Sequence, residues 1–170
     1  MDEELKRAPA KGAGEDDPDV PKLRERFGPA ILGVESQRGQ TVVSVEPGEI
    51  VPVCRFLKEE QGYNYLSFIF SLDCLELPRE HRFELIYGLY SLPRKKRLRL
   101  KVPLPEEEPA VDSVTGVWAT ANFHEREAFD MMGINFRGHP DLKRILMPDD
   151  WVGHPHRRDY DLRVEDVEFT

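Results

Sequence analysis

The alternating stretch from Leu98 to Leu104 constrains the fold more than any other part of the sequence. Its apolar residues occupy every second position, and they alternate with the basic residues Arg97, Arg99 and Lys101. Successive side chains of a β-strand point to opposite faces of the sheet, so this spacing predicts a strand with one buried face and one basic face. We expect the basic face to meet solvent or an acidic partner.

Three further stretches are typical of strands. Arg82–Leu92 alternates in the same way. Pro93–Lys96, a connector of hairpin length, joins it to the Leu98–Leu104 strand, so these two strands are predicted to be antiparallel neighbours. The apolar run Tyr65–Leu72 favours a central strand, either covered on both faces or covered on one face and aromatic on the other. Gln40–Val45 is rich in β-branched residues and is predicted to be the first strand of the chain.

Helical spacing appears in three places. Pro21–Phe27 predicts a short helix, and a second helix is predicted to begin near Glu49–Val51 and to end at Gly62. Asp112 or Ser113 is expected to be the N-cap of the third. The apolar stripe of that third helix consists of Val114, Trp118, Ala121, Ala128 and Met132. The order of elements predicts an α+β fold, a mixed or antiparallel sheet with helices packed on it as a two-layer sandwich.

Composition divides the chain into three parts. Residues 1–20 contain seven acidic and three basic residues and are expected to be a disordered acidic arm, while residues 21–136 form the α+β body. From 137 to 160 there are five Lys or Arg, four Asp, three His and three Pro, which leaves few apolar residues to bury. Such a stretch becomes ordered when another surface covers it, and its prolines lower the entropy cost of lying there. We therefore predict that residues 137–170 are an extended C-terminal docking segment.

Charge and motif content exclude several classes of function. A net charge of −8 argues against a nucleic-acid-binding protein, which needs a basic surface. Cys54 and Cys74 lack CxxC spacing and are expected to be buried, reduced thiols. No stretch resembles a signal peptide or a membrane span, so any attachment to a membrane is expected to go through partners.

The histidines raise the alternative of a free-standing metal-dependent enzyme, because four of the five lie in the last third of the chain, at 124, 139, 154 and 156. Zinc enzymes typically use a His-x-x-x-His pair on a helix, and His124 has no such partner. The sequence also contains no nucleophile elbow and no phosphate-binding loop. We therefore expect no catalytic, cofactor-binding or metal-binding residue in this chain.

Charged residues of the third helix are expected to pair with basic ones. Glu125 lies on the apolar stripe, so its buried carboxylate needs a donor, for which Arg144 or Arg137 is the obvious candidate. Arg126 and Asp130 are one turn apart and are expected to pair across the helix surface. Gly133 is predicted to end the helix.

The stretch from Asn122 to Tyr160 closely resembles the C-type subunit of NADH:quinone oxidoreductase (respiratory complex I). The resemblance rests on Glu-Arg-Glu at 125–127, the Gly-His-Pro-x-Leu-x-Arg-Ile-Leu run at 138–146, and Asp-Trp-x-Gly-x-Pro at 150–155 with Arg157 and Asp-Tyr at 159–160. The chain differs from the usual pattern at Phe123, His156 and Arg158. Its short length resembles the compact form of this family, which also occurs in relatives that take electrons from ferredoxin.

This resemblance implies a peripheral-arm subunit that binds no cofactor itself and supports electron transfer from NADH to quinone by the whole, proton-translocating complex. The complex is expected to use NADH, FMN, iron–sulfur clusters and quinone. Its D-type subunit is the expected main partner, with the B-type and I-type iron–sulfur subunits as neighbours, at the cytoplasmic face of the membrane. The alternatives are the equivalent subunit of a ferredoxin-dependent quinone oxidoreductase, or of a membrane-bound hydrogenase or formate-oxidising complex.

Arg144 and Arg157 are the main candidates for contacts with carboxylates of a partner, and Trp151 for an aromatic anchor or a cap over the chain's own helix. The full set of predicted interface and structural residues is Glu125, Arg126, Glu127, Asp130, Gly133, His139, Pro140, Arg144, Asp150, Trp151, His154, Pro155, Arg157, Arg158, Asp159 and Tyr160.

Overall fold

A computed structural model describes residue 14 and residues 16–161. Within these residues the α-helices are α1 (Val20–Phe27), α2 (Ile50–Glu59) and α3 (Ala121–Met132). The strands are β1 (Ile31–Gln37), β2 (Gln40–Val45), β3 (Tyr65–Asp73), β4 (Phe83–Ser91), β5 (Lys96–Leu104), β6 (Ala110–Asp112) and β7 (Asn135–Arg137). Single 3-10 turns precede β1 and α2.

The main sheet has the order β1-β2-β5-β4-β3, in which only β2 and β5 are parallel neighbours. The alternation in β5 is confirmed, since Leu98 to Leu104 are buried at every second position. The predicted β4–β5 hairpin is confirmed, with Tyr90 opposite Arg97. The expectation of a mixed sheet with helices packed on it is therefore also confirmed.

Strand β3 is at an edge of this sheet and not at its centre, which corrects the sequence prediction. Of the two forms expected, it has the second: Leu66 and Ile69 are buried, while Phe70 and Leu72 are exposed on the other face. β5 pairs with β2 as well as with its hairpin partner, so β3 is left with β4 alone. Strand β1 was not predicted, because Gly33, a glutamate and a serine interrupt its apolar pattern.

Helices α1 and α2 begin and end near the predicted residues. The buried side of α2 includes Val53, Cys54 and Leu57, and Gly62 adopts a positive φ of 73° just beyond the helix. Phe27 of α1 packs edge-on against Phe56 of α2, with ring centroids 5.5 Å apart. Both cysteines are free and buried, as predicted.

The third helix starts later than predicted. Residues 114–120 form turns, and α3 begins at Ala121 after Thr120, whose side chain makes no cap hydrogen bond. Asp112 is in β6 and Ser113 follows it, so neither is an N-cap. β6 and β7 pair in parallel, a contact between two three-residue strands that periodicity could not reveal. Gly133 ends the helix as predicted, in the left-handed conformation.

The part of the predicted acidic arm nearest the body is anchored to the sheet. Asp19 is buried and accepts hydrogen bonds from Tyr63 (2.8 Å), Arg94 (2.9 Å) and Lys96 (2.7 Å). Burial alone would raise its pKa, but these donors lower the pKa of Asp19 to about 2. Residues 1–13 and residue 15 lie outside the described residues, so the expectation of disorder there stays a prediction.

Candidate docking site: the C-terminal segment on helix α3

Asp130 is the residue around which the described part of the C-terminal segment (137–161) is organised. It lies in the last turn of α3 and is fully buried. Its Oδ2 accepts hydrogen bonds from the backbone N–H groups of Ile145 (3.0 Å), Leu146 (2.8 Å) and Met147 (2.9 Å). Its Oδ1 accepts one from Arg144 (2.6 Å). One helical carboxylate therefore fixes four consecutive residues of the segment.

Arg144 extends this cluster to a later part of the segment. Its Nη2 donates to the carbonyl oxygens of Trp151 (2.8 Å) and Gly153 (3.1 Å). These donors of Arg144 are used within the chain, and its predicted contact with a partner's carboxylate stays a prediction. The predicted Arg126–Asp130 pair is wrong, since Arg126 donates to the carbonyl oxygens of residues 143 and 144.

The electrostatics of the cluster favour an ionised Asp130. Burial raises the pKa of Asp130, but the backbone N–H groups and the guanidinium of Arg144 outweigh it and lower that pKa below its usual value. A carboxylate that accepts several N–H bonds is strongly stabilised in its charged form. At neutral pH the segment is thus held to α3 by a buried anion with charge-assisted bonds.

The segment then crosses the C-terminal end of α3. Arg157 Nε donates to the carbonyl oxygen of Met132 (2.7 Å), and His156 N–H donates to that of Met131 (3.0 Å). A guanidinium at this position interacts favourably with the helix dipole. Gly133 permits the crossing, because a Cβ there would lie 2.5 Å from His154 Nε2 and 2.6 Å from Arg157 Nη2.

His154 is half-buried beside this helix end. Its Nδ1 lies 3.0 Å from the carbonyl oxygen of Asp130. Burial lowers the pKa of His154, and the neighbouring Arg157 and Arg144 lower it further, against the raising effect of the hydrogen bond. The neutral ring, with a proton on Nδ1 to donate to that carbonyl, is the form that fits this site.

A second cluster attaches the end of the segment to the sheet, and sequence reasoning missed it. Asp73, at the end of β3, accepts a hydrogen bond from the backbone of Arg158 (2.9 Å) and two from Arg82. Arg82 also pairs with Asp159 at 2.8 Å. The Arg82 and Arg157 guanidiniums both lie over the buried ring of Phe83, at 4.9 and 5.1 Å from its centroid. The only sign of this cluster in the sequence is that an acidic residue, Asp73, and a basic residue, Arg82, lie at the two ends of the β3–β4 loop.

Glu125 is placed differently from the prediction. It is fully buried, but its Oε2 accepts a hydrogen bond from the hydroxyl of Ser113 (2.6 Å) and its Oε1 accepts one from the N–H of Val114 (2.7 Å). The predicted ion pair is wrong, because Arg144 pairs with Asp130 and Arg137 pairs with Asp112.

Glu125 thus lacks a cationic partner among the described residues. Burial raises its pKa to about 7, although the bonds from Ser113 and Val114 act in the opposite direction. The buried Cys54 and Tyr87 lie within electrostatic range of it, and each has its pKa raised by its own burial and then by this carboxylate. These three ionisable groups lie in the interior of the domain and not in the C-terminal segment.

The remaining predicted residues divide into those in contact and those left exposed. His139 Nε2 lies 3.3 Å from the carbonyl oxygen of Asn122. The ring of Tyr160 covers Gly153, where a Cβ would be 2.7 Å from it. Pro155 and Trp151 are half-buried, and the Trp151 indole N–H is buried with no hydrogen-bond partner in the described part of the chain. Glu127, Pro140 and Asp150 are exposed.

The C-terminal segment has two different sides. Its inner side is hydrogen-bonded to α3, whereas its outer side, which faces away from α3, carries exposed apolar side chains. Leu146 is 59% exposed and Val152 is 78% exposed, and Phe123 on α3 is 62% exposed. The backbone N–H of Leu146 is bound to Asp130, so its side chain is held outward on a fixed backbone. Large apolar side chains displayed in this way are typical of surfaces that another protein covers.

Within residues 14 and 16–161, no three His, Cys, Asp or Glu side chains form a group that could hold a metal ion. In the same residues, no helix is long and apolar enough to cross a membrane.

The fold and the C-terminal segment bound to α3 define a small α+β domain with a C-terminal extension packed on it. A sequence profile of the family described as the 30 kDa subunit of respiratory-chain NADH dehydrogenase matches residues 43–166. The chain belongs to this family.

Individual relatives agree with that assignment. The C-type subunit of NADH-quinone oxidoreductase from Geotalea uraniireducens is 52% identical over 149 residues, which cover 88% of this chain and 90% of the relative. The protein of the same name from Geobacter sulfurreducens is 48% identical, with 88% and 91% covered.

Solved structures support the fold. A trypsin-resistant fragment (1-134) of Nqo5 is 35% identical with a TM-score of 0.57, and the match covers 72% of this chain and 97% of the fragment. A chain of an archaeal membrane-bound sulfane sulfur reductase, a respiratory membrane complex, has a TM-score of 0.70 at 23% identity, with 85% and 84% covered. At that identity the second likeness concerns the fold alone.

Proposed function

We propose that this chain is a non-catalytic structural and assembly subunit in the peripheral arm of a proton-translocating NADH:quinone oxidoreductase. Relatives that match most of its length are named as C-type subunits of NADH-quinone oxidoreductase, which supports this assignment over a ferredoxin-dependent or hydrogenase-type complex. In this proposal NADH, FMN, iron–sulfur clusters and quinone are bound by other subunits. On this proposal, no electron-transfer step passes through this chain.

The observation that carries the proposal is the two-sided character of the C-terminal segment. Its inner side is fixed by the Asp130 cluster, and its outer side displays Leu146 and Val152. Because the backbone is already ordered, a partner that covers these side chains does not have to order the segment first, and less entropy is lost on binding. The polar clusters therefore act as the scaffold of an interface.

The proposed main partner is the D-type subunit, with the B-type and I-type iron–sulfur subunits nearby. The chain would lie at the cytoplasmic face of the membrane and be attached through these subunits. Arg144 keeps a central role, although an indirect one: Arg144→Ala is expected to release the segment from Asp130 and thereby to lower the amount of assembled complex. Electron transfer in complexes that do assemble should stay normal.

The test replaces the outer apolar side chains in the full chain. Leu146→Asp with Val152→Asp should leave the fold of the isolated chain unchanged and strongly reduce its co-purification with the D-type subunit. Leu32→Asp is the matched control, because Leu32 is 49% exposed and lies on β1, outside the segment. Each variant is purified through a tag on the D-type subunit, and the subunits are quantified by mass spectrometry. Equal co-purification of the double variant and the control would contradict the proposal.

A further inference from the structure

A concentration of unpaired positive charge lies at the end of the sheet away from Asp73 and Arg82. β2 and β5 are parallel neighbours, so the β1–β2 turn that precedes one and the β4–β5 turn that precedes the other lie side by side. An open hollow of about 510 Å³ lies between them. Its charged lining residues are the basic Arg38, Lys95, Lys96 and Arg97 and the acidic Asp17, which pairs with Lys96. Residues distant in sequence are thus brought to one place by the strand order.

Most of this charge is not neutralised within the described residues. Lys96 is paired with the acidic residues that anchor the N-terminal side of the body. Among residues 14 and 16–161, Arg38, Lys95 and Arg97 have no carboxylate within 4 Å, and the Arg97 guanidinium lies over the Tyr90 ring, 5.8 Å from its centroid. In a chain of net charge −8, such a cluster is a local exception. Like charges held together repel each other until an anionic partner compensates them.

Backbone conformation adds to the cost of this arrangement. Arg38 and Lys95 both adopt positive φ, at 50° and 51°. Turn positions of this kind favour glycine or asparagine, and a long basic side chain there is less stable. Each turn therefore has a cation where its own stability would favour a smaller residue.

The hollow continues into a groove of about 240 Å³ on the sheet face that carries Arg97 and Arg99. Gln40 and Arg97 line both cavities. At the base of the groove the Phe68 ring lies directly on the buried Gly88, where a Cβ would be 2.4 Å from the ring. The groove thus combines an aromatic wall with guanidinium groups.

We propose that this basic groove, defined by Arg38, Lys95, Arg97, Arg99, Phe68 and Gly88, binds an acidic polypeptide segment of another subunit. The cations recognise the carboxylates, and the Phe68 wall accepts one apolar side chain of the same segment. Two adjoining cavities with an aromatic wall and several cationic side chains fit a peptide better than a single phosphate, for which no buried side-chain donor is present among these residues. This interface is separate from the C-terminal segment, although it rests on the chain's membership in a complex.

The test is photo-cross-linking in the assembled complex. p-Benzoylphenylalanine replaces Gln40, which lines both cavities, and the cross-linked peptide is sequenced by mass spectrometry. The expected product joins this chain to another subunit at a stretch with more acidic than basic residues. A product with this chain's own N-terminal residues, with lipid, or with a neutral or basic stretch would overturn the proposal, and so would no product from a normally assembled complex.

Charge reversal supplies the second measurement. Arg38→Glu with Lys95→Glu and Arg97→Glu should lower the cross-linking yield about tenfold, because favourable charge pairs become repulsive. Arg55→Glu, on the exposed side of α2, is the control and should leave the yield unchanged. If the triple variant does not assemble, the neutral triple variant with glutamine replaces it and should still lower the yield several-fold. A yield equal to that of the control would overturn the proposal. Failure of assembly in the Leu146 and Val152 variant would instead concern the C-terminal segment.

Discussion

Replacing Glu125 by glutamine is predicted to remove most of a pH dependence from the stability of this domain. The carboxyl group is buried, which raises its pKa from 4.5 to about 7, and the bonds from Ser113 and Val114 offset that only in part. The folded state therefore holds this proton more tightly than the unfolded state. As the pH rises from about 4.5 to about 7, the free energy of unfolding falls, and above about 7 it falls no further from this cause.

The size of the effect follows from the same pKa values. A folded pKa of about 7 against an ordinary value of 4.5, at about 1.4 kcal/mol per pH unit, gives about 3 kcal/mol of lost stability at pH 8. Glu125→Gln keeps the shape of the side chain without its charge. Its oxygen can accept the Val114 N–H, and its amide can donate to the Ser113 hydroxyl.

The assay is urea unfolding, followed by tryptophan fluorescence between pH 5 and pH 8. We expect the variant to be more stable than the natural chain at pH 8 by about 1–3 kcal/mol, and the difference to shrink towards pH 5. Glu127→Gln, an exposed change on the same helix, should follow the natural chain throughout. If Glu125→Gln is less stable at pH 8, or if its pH profile is parallel to that of the natural chain, the assigned burial and protonation of Glu125 are wrong.

Three other changes test the clusters that hold the chain together. Asp130→Ala leaves three backbone N–H groups and a guanidinium without their acceptor, so we expect the free energy of unfolding to fall by about 3–5 kcal/mol. Amide hydrogen exchange at 144–153 should become faster. The control Asp149→Ala, at an exposed position, should have little effect. Gly133→Ala introduces a Cβ at a φ of 72°, 2.5 Å from a histidine ring, and should lower stability in urea unfolding by about 2 kcal/mol or more, whereas Gly48→Ala meets nothing within 4 Å. Asp19→Asn should remove part of the loss of stability on acidification. The pKa of Asp19 is held at about 2, so its contribution to the free energy of unfolding is present above about pH 4 and disappears as the pH falls towards 2. An unchanged acid unfolding curve would contradict this.

The β4–β5 hairpin could be predicted from the sequence because its signals are local. The alternation in β5 and the short connector before it define a hairpin without any knowledge of the rest of the chain. Strand order is a different matter, since the parallel contact between Val43 of β2 and Leu100 of β5 joins residues far apart in sequence. That contact places β3 at the edge, and no periodicity encodes it.

The ion pairs and hydrogen bonds of the candidate site also join residues far apart in sequence, and they could not be predicted for the same reason. The sequence indicated that Asp130 and Arg144 form ion pairs, but the pairs it indicated, Asp130 with Arg126 and Arg144 with Glu125, are not the ones that form. Asp130 takes its bonds mainly from backbone N–H groups, and these have no signature in the sequence. The expected partner of Arg144, Glu125, instead meets the Ser113 hydroxyl, because the turns at 114–120 bring the end of β6 back to the helix.

The central claim is that the outer side of the C-terminal segment is covered by another subunit. Hydroxyl-radical footprinting measures this directly, by comparing side-chain oxidation in the isolated full chain and in the assembled complex. We predict that Leu146 and Val152 are oxidised readily in the isolated chain and are protected several-fold in the complex, while the exposed Leu77 serves as a reference outside the segment. Oxidation of Leu146 and Val152 that is the same in both samples, with protection confined to other surfaces, would contradict the account.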